Sequence, residues 1–163
     1  MQNNIVNIHD LEWERDEYGD FAYAEKPLRV PAGGEMIGAC VYQLMPGKKV
    51  CPYHFHYANE EAVFVLEGSG TLRINNEMKP IRQGDYIAFP VGPDHAHQII
   101  NTSDKPLIYL CFSTMQHPDV VEYPDSNKVG VTAGVAPGGD RNKLQLKAMF
   151  RKHEKVDYFD GEN

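Results

Sequence analysis

The 163-residue chain has no basic run, no long apolar run and little cysteine. Each absence closes off a class of protein. Sixteen Lys and Arg stand against 23 Asp and Glu, a net charge of −7. Nucleic acid and anionic membrane are bound through clustered cations, so an acidic chain without such a cluster argues against both as partners. Nor is long-range steering of an anionic substrate favoured, although a local cation in a pocket can override that. No apolar stretch approaches the roughly 20 residues of a membrane-spanning helix. Met1 to Asp10 lacks the basic start and apolar core of a secretory leader, so none is expected. Cys40, Cys51 and Cys111 are an odd number of cysteines for a chain this size. Reduced thiols in a cytoplasmic protein are the simplest reading. Asn101-Thr102-Ser103 matches a glycosylation sequon but carries little weight without secretion.

What is present suits one globular domain spanning residues 1–163: 42% hydrophobic and 24% charged residues supply a single packed core. Residues 1–18 are polar and acidic around one large anchor, Trp13, and read as a short helix or an extended arm. From Phe21 onward short apolar stretches alternate with turn signals. Strands are expected at 21–24, 36–44, 61–67, 71–74, 78–81, 86–89, 95–100 and 107–114, with Asn75-Asn76 as a two-residue hairpin turn. Nothing between residues 20 and 114 has a helical period. This is the pattern of an all-β sandwich or barrel. The tail from Met115 carries scattered apolar segments, strand-like at 120–123 and 128–131, and an irregular loop, Gly134 to Asp140. It reads as a strap over the barrel or a partner subunit.

The segment from Pro52 to Gly68 carries the chemistry. His54 and His56 stand one residue apart, and Glu60 and Glu61 precede a strand ending at Gly68. Alternate residues of a strand share a face, so both imidazoles can address one point and a carboxylate from the next strand can join them. Imidazole with carboxylate suits a divalent first-row metal.

At these residues the chain resembles the cupin superfamily. The first cupin motif runs Gly, His-x-His, Glu, Gly, matched here by Gly47, His54, His56 and Gly68. Leaving six residues before Gly68 makes Glu61 the carboxylate and leaves Glu60 facing out. The six residues between Gly47 and His54 are one more than the motif has, a difference confined to a loop. The second motif is matched by Gly84, Pro90 and Gly92, and its end can be read two ways. His95 fits the spacing from Gly92, whereas His97 fits the spacing to Asn101. His97 is favoured as the fourth ligand, and His95 is then a catalytic or substrate-facing group at the barrel mouth.

The resemblance covers roughly residues 36–114. It implies a jelly-roll β-barrel (a double-stranded β-helix) with an N-terminal arm and an irregular C-terminal strap, often as a homodimer. Inside would sit Fe, Mn, Ni or Zn on His54, His56, Glu61 and His97. On an octahedral ion that ligand set leaves two positions open for a small-molecule ligand. The resemblance fixes no reaction. A metal-dependent enzyme is favoured, either an oxidoreductase of the dioxygenase type or an isomerase or epimerase. The alternative is a non-catalytic metal-dependent binding or sensor protein. Tyr109, Cys111 and Ser113 share one parity and are assigned to the pocket wall, with the opposite parity nearly as good. Arg73 and Tyr86 are candidates for substrate contact. Cys51 reads mainly as a small apolar residue, and Phe55, Phe64, Phe89 and Ile99 as packing. His9, His117 and His153 read as solvent or tail residues.

Overall fold

A computed structural model of the chain describes residues 4–136 and 139–162. Met1–Asn3, Asn163, and Pro137 and Gly138 of the expected loop lie outside the described residues. Strands dominate. β1 (Glu14–Tyr18), β2 (Phe21–Pro27) and β3 (Gly38–Leu44) open the chain; β4 (Phe55–His56) and β5 (Glu61–Glu67) follow. β6 (Ser69–Ile74), β7 (Glu77–Arg82), β8 (Tyr86–Phe89), β9 (His97–Ile100) and β10 (Leu107–Ser113) complete the central part. The tail supplies β11 (Asp119–Tyr123), β12 (Lys128–Ala133) and β13 (Leu146–Arg151).

One sheet runs β1-β2-β3-β10-β5-β8. A second group runs β13-β12-β11-β4 and a third β7-β6-β9. His54 and His97 join these last two into one face, exchanging both backbone hydrogen bonds at 3.1 and 2.8 Å. Between the faces lies a core of Leu44, Val63, Val65, Leu72, Leu107 and Tyr109. Burying each such aliphatic side chain contributes about 1.5–3 kcal/mol.

The alternation in β5 shows why the strand sits as it does. Val63 and Val65 are buried, while Phe64 between them is 39% exposed and takes no part in the core expected of it. The Asn75-Asn76 turn forms as expected, with φ of 50° and 63°, because Asn tolerates the left-handed region that the hairpin demands. Asn101 is fully buried, and its amide donates to the carbonyls of Leu44 and Lys105, both at 2.8 Å. That side chain fastens the β9–β10 turn to the end of β3.

Three expectations change. Residues 14–18 form an edge strand, all exposed, and Trp13 is half-buried beneath the Lys26 ammonium, 4.7 Å from the ring centroid. The expected strand at 95–100 starts only at His97, because Pro93 opens a 3-10 turn that holds Pro93 to His95. The tail does more than strap the barrel: β11 pairs with β4, so the sheet itself contains residues 119–123. No helix among the described residues is long and apolar enough to cross a membrane.

Gly68 joins β5 to β6 at φ +83°, and a Cβ there would lie 2.4 Å from the Pro106 carbonyl oxygen. Gly84 has φ +92° with nothing within 4 Å. The left-handed backbone alone costs a residue with a side chain roughly 1–2 kcal/mol. Urea denaturation should show Gly84→Ala losing about that much and Gly68→Ala losing more, because the second also forces β10 to move. Equal losses would mean that the collision is relieved without cost.

Candidate metal centre

Three histidine rings and one carboxylate converge inside the barrel. His54 precedes β4, His56 ends it, His97 opens β9 and Glu61 opens β5. Oε2 of Glu61 lies 3.9 Å from Nε2 of His54, 3.6 Å from Nε2 of His56 and 3.4 Å from Nε2 of His97. Potential ligand atoms of His54, His56 and Glu61 all lie within 4.8 Å of one another. Glu61 keeps 17% of its side chain exposed, so the cluster sits at an opening and not in a sealed core. Glu60 is exposed, as expected.

Each ring is held by its other nitrogen, two of them by backbone carbonyls and one by a carboxylate. Nδ1 of His54 faces the Pro52 carbonyl oxygen at 2.9 Å, and Nδ1 of His97 faces the His95 carbonyl oxygen at 3.0 Å. Nδ1 of His56 faces Oδ2 of Asp119 at 2.6 Å. With Nδ1 of each ring turned to an acceptor, Nε2 of each ring faces Glu61. Phe89 stacks on His97, centroids 3.6 Å apart and planes 7° apart, which fixes the third ring. Carbonyl or carboxylate partners behind metal-binding imidazoles are the usual supports, so the arrangement is one that could hold a divalent ion.

Electrostatics divide the cluster. Burial, then the neighbouring His97, lowers the pKa of His54 to about 4, so it is neutral at ordinary pH. Burial pushes Glu61 up, but the contact with His97 and the charges of His56 and His54 outweigh it and bring the carboxyl to about 2. For His56, burial favours the neutral form, and the hydrogen bond to Asp119 and the nearby Glu61 overcome it, raising its pKa. Asp119 is held low in turn, its burial offset by the bond from His56.

Asp119 is the partner that the sequence did not reveal. It is fully buried, it accepts from the Ala58 amide at 3.1 Å as well as from His56, and it starts a tail strand 63 residues from His56. Asn59, also buried, holds the intervening loop by accepting from the Gln116 amide and donating to the Gln116 carbonyl. Only the run of β-forming residues at 120–123 hinted at this role, and no spacing did.

A cavity of about 210 Å³ opens beside Glu61. Its wall includes Glu25, Arg29, Tyr42, Glu61, Cys111 and Ser113. Cys111 and Ser113 line the cavity as assigned, with Ser113 paired to Glu61 across β10 and β5, but Tyr109 belongs to the apolar core instead and Phe112, of the opposite parity, also lines the cavity. Burial, then Glu61, raises the Cys111 thiol well above its usual value. Cys51, with Sγ 3.6 Å from Nδ1 of His54, is pushed up to about 12 mainly by burial, so it stays a thiol. His95 ends its 3-10 turn half-buried and meets the cluster through its carbonyl. Two candidates for substrate contact are corrected. Arg73 makes a two-pronged bond to Asp125 at 2.6 and 2.9 Å and lies 3.9 Å over the Tyr53 ring, so it braces the fold. Tyr86 is 66% exposed on the outer side of β8. His9, His117 and His153 are all exposed, as expected.

A family model described as a cupin domain matches residues 40–113. An uncharacterized protein of Methanocaldococcus jannaschii is 40% identical over 60 residues, 37% of this chain and 46% of that protein. This chain thus matches under half the length of that relative. A crystal structure of a candidate sugar phosphate isomerase from Acidithiobacillus ferrooxidans is 26% identical. It superposes with a TM-score of 0.80 over 95% of this chain and 96% of its own. A cupin-superfamily sugar phosphate isomerase from Silicibacter pomeroyi gives a TM-score of 0.77 at 24% identity, over 96% of this chain and 98% of its own.

The His56–Asp119 pair predicts a pH window for the metal-free protein. A carboxyl held below its usual 3.8 stabilises the fold above that value and loses the contribution as pH falls through its folded pKa. An imidazole held above 6.5 stabilises below that value and loses the contribution as pH rises through its folded pKa. Asp119→Asn should therefore destabilise the metal-free protein most between about pH 4 and 6.5. Denaturation of both proteins from pH 3 to 9 checks this, and a pH-independent difference would refute it.

Proposed function

We propose that this chain, which belongs to the cupin superfamily, is a metal-dependent enzyme acting on a small oxygen-bearing molecule, with isomerase-type chemistry. The observation that carries the metal is the convergence of three Nε2 atoms on the Glu61 carboxylate, each ring held from behind. His54, His56, Glu61 and His97 would hold a divalent ion. Donors about 2.0–2.2 Å from a shared ion sit roughly 3 Å apart, so the observed spacings need only a small closure. Bound there, the ion would supply Lewis-acid polarisation of a substrate oxygen. Iron, manganese, nickel and zinc all fit nitrogen and carboxylate donors. The isomerase direction is supported by the likeness to the Acidithiobacillus protein over nearly the whole chain.

The chain's own residues would bind and move protons. Isomerisation beside a carbonyl needs a base that takes a proton from one carbon and returns it to the next. His95 is one candidate. Glu25 is better placed, because it lines the cavity beside Glu61 and faces Sγ of Cys40 at 3.6 Å. Burial raises the Tyr42 phenol and carries the Cys40 thiol to about 12, so both stay protonated and serve as donors, not bases. Dioxygenase chemistry would use the same metal ligands without this base. The non-catalytic binding or sensor protein would use the metal and cavity and need no proton transfer at all.

The expected homodimer enters as a further proposal. It is supported by the exposed apolar residues Leu146, Met149, Phe150, Val156, Tyr158 and Phe159 on and beyond β13.

Elemental analysis of protein from its native source should find about one divalent ion per chain. His54→Ala and His56→Ala should abolish it, and Glu60→Gln should keep it. Asp119→Asn should weaken metal affinity about 10–100-fold through the misdirected His56 ring. Wild-type protein that takes up no divalent ion would overturn the proposal. With sugar phosphates as substrates, exchange of solvent deuterium into the carbon beside the carbonyl reads the base. Glu25→Gln should lower kcat about 10²–10⁴-fold and His95→Gln much less. The reverse order would return the role to His95, and no exchange by metal-loaded protein would favour the binding module.

A further inference from the structure

The cavity holds a cation that no ion pair among the described residues neutralises. Arg29 lies in the turn after β2, and its backbone is fastened on both sides. Its amide and that of Leu28 donate to the Ala39 carbonyl at 3.4 and 2.9 Å, and its own carbonyl accepts from the Gly34 amide at 2.8 Å. The side chain is steered as well. Nη1 donates to the Gly34 carbonyl at 3.3 Å, and Cγ lies so near Gly34 that a Cβ there would be 3.2 Å from it. The other end of the guanidinium, Nη2, is buried and has no hydrogen-bond partner among the described residues. Arg29 lines the same cavity as Glu61 and Glu25, yet no ion pair joins it to either among the described residues.

A buried guanidinium nitrogen left unpaired is costly, and more so for a charged donor than a neutral one. The guanidinium fork matches the oxygens of carboxylate and phosphate. The chain as a whole carries −7 and offers an anion no general attraction, so selection for an anionic group has to come from a local cation of this kind. We propose that Arg29 is the specificity residue of the cavity. It would bind the terminal oxyanion of a substrate, a phosphate or a carboxylate, whose hydroxyl or carbonyl oxygens lie toward Glu61 and its histidines. The assignment rests on reading this cavity as the substrate site.

Three probes share a diol and differ at one end: glycerol 3-phosphate, D-glycerate and glycerol. Calorimetric titration of manganese-loaded and metal-free protein should show at least one of the two anions binding about tenfold or more tightly than glycerol. Which anion wins identifies the terminal group. Arg29→Gln should remove most of that preference, Arg29→Lys should keep part of it, and glycerol binding should be unchanged in both. Metal content and circular dichroism should match wild type, because no hydrogen bond or ion pair among the described residues joins Arg29 to His54, His56, Glu61 or His97. If the anions bind Arg29→Gln as well as wild type, or no better than glycerol to wild type, the assignment is overturned. Metal uptake, measured in parallel, separates this failure from that of the metal centre, and the metal-free titrations test Arg29 whichever way uptake falls.

Discussion

The two-way backbone hydrogen bond between His54 and His97 is the seam on which the site depends. Without it, the tail face β13-β12-β11-β4 and the hairpin face β7-β6-β9 are separate pieces of sheet. With it, two imidazoles start from directly opposed positions on antiparallel chains, where neighbouring side chains lie within reach of each other. The ring centroids end 4.7 Å apart. Sheet continuity and convergence of the rings are thus one structural fact. The rest of the barrel can be read as what keeps that seam in register: Asn101 fastening the turn after β9, Phe89 flat against His97, and β10 carrying β5 so that Glu61 arrives from the opposite sheet.

The cluster is expensive to keep as bare protein. Three imidazoles crowd one another, and two carboxylates are drawn in on either side of His56. The opposed shifts of His54 and His56 express this. The ring with no carboxylate behind it, His54, is driven neutral by burial, whereas the ring between Glu61 and Asp119 is pulled toward its cation. Buried charge is tolerated where each group has a partner, and it adds little net stability compared with apolar packing. Such an arrangement at an opening, with Glu61 still partly exposed, marks a candidate functional site.

Much of this was legible in the residues, for physical reasons that can be named. Alternating apolar positions and regular turn signals gave the strands, because one buried face per strand enforces a period of two. His54 and His56 were legible because a single strand carries both. Glu61 followed from motif spacing, and its partly buried side chain beside an exposed Glu60 agrees. Asp119 was hidden because its contact with His56 is made by sheet pairing between distant segments, which leaves no spacing to count. Arg29 and Glu25 were hidden for the same reason: a loop residue and a residue of β2 meet Glu61 only across the cavity. The parity expected of His95 is lost because Pro93 and the turn it starts hold it out of the strand that begins at His97. Arg73 was misplaced because its partner, Asp125, also lies in the tail.

The cavity wall carries its own logic. Cys40, Cys111 and Tyr42 are polar in name, but burial and the nearby carboxylates hold all three protonated. They can donate weak hydrogen bonds and take no charge. Once they are set aside, the charged groups that line this space are Glu25, Glu61 and Arg29. Glu61 belongs to the histidines, which leaves one carboxylate free to move a proton and one guanidinium edge free to hold an anion. A substrate that satisfied both would be anchored at one end and reactive at the other. On the proposed reading, that is the division of labour by which an enzyme whose metal centre alone cannot tell one oxygen-rich molecule from another would select its substrate.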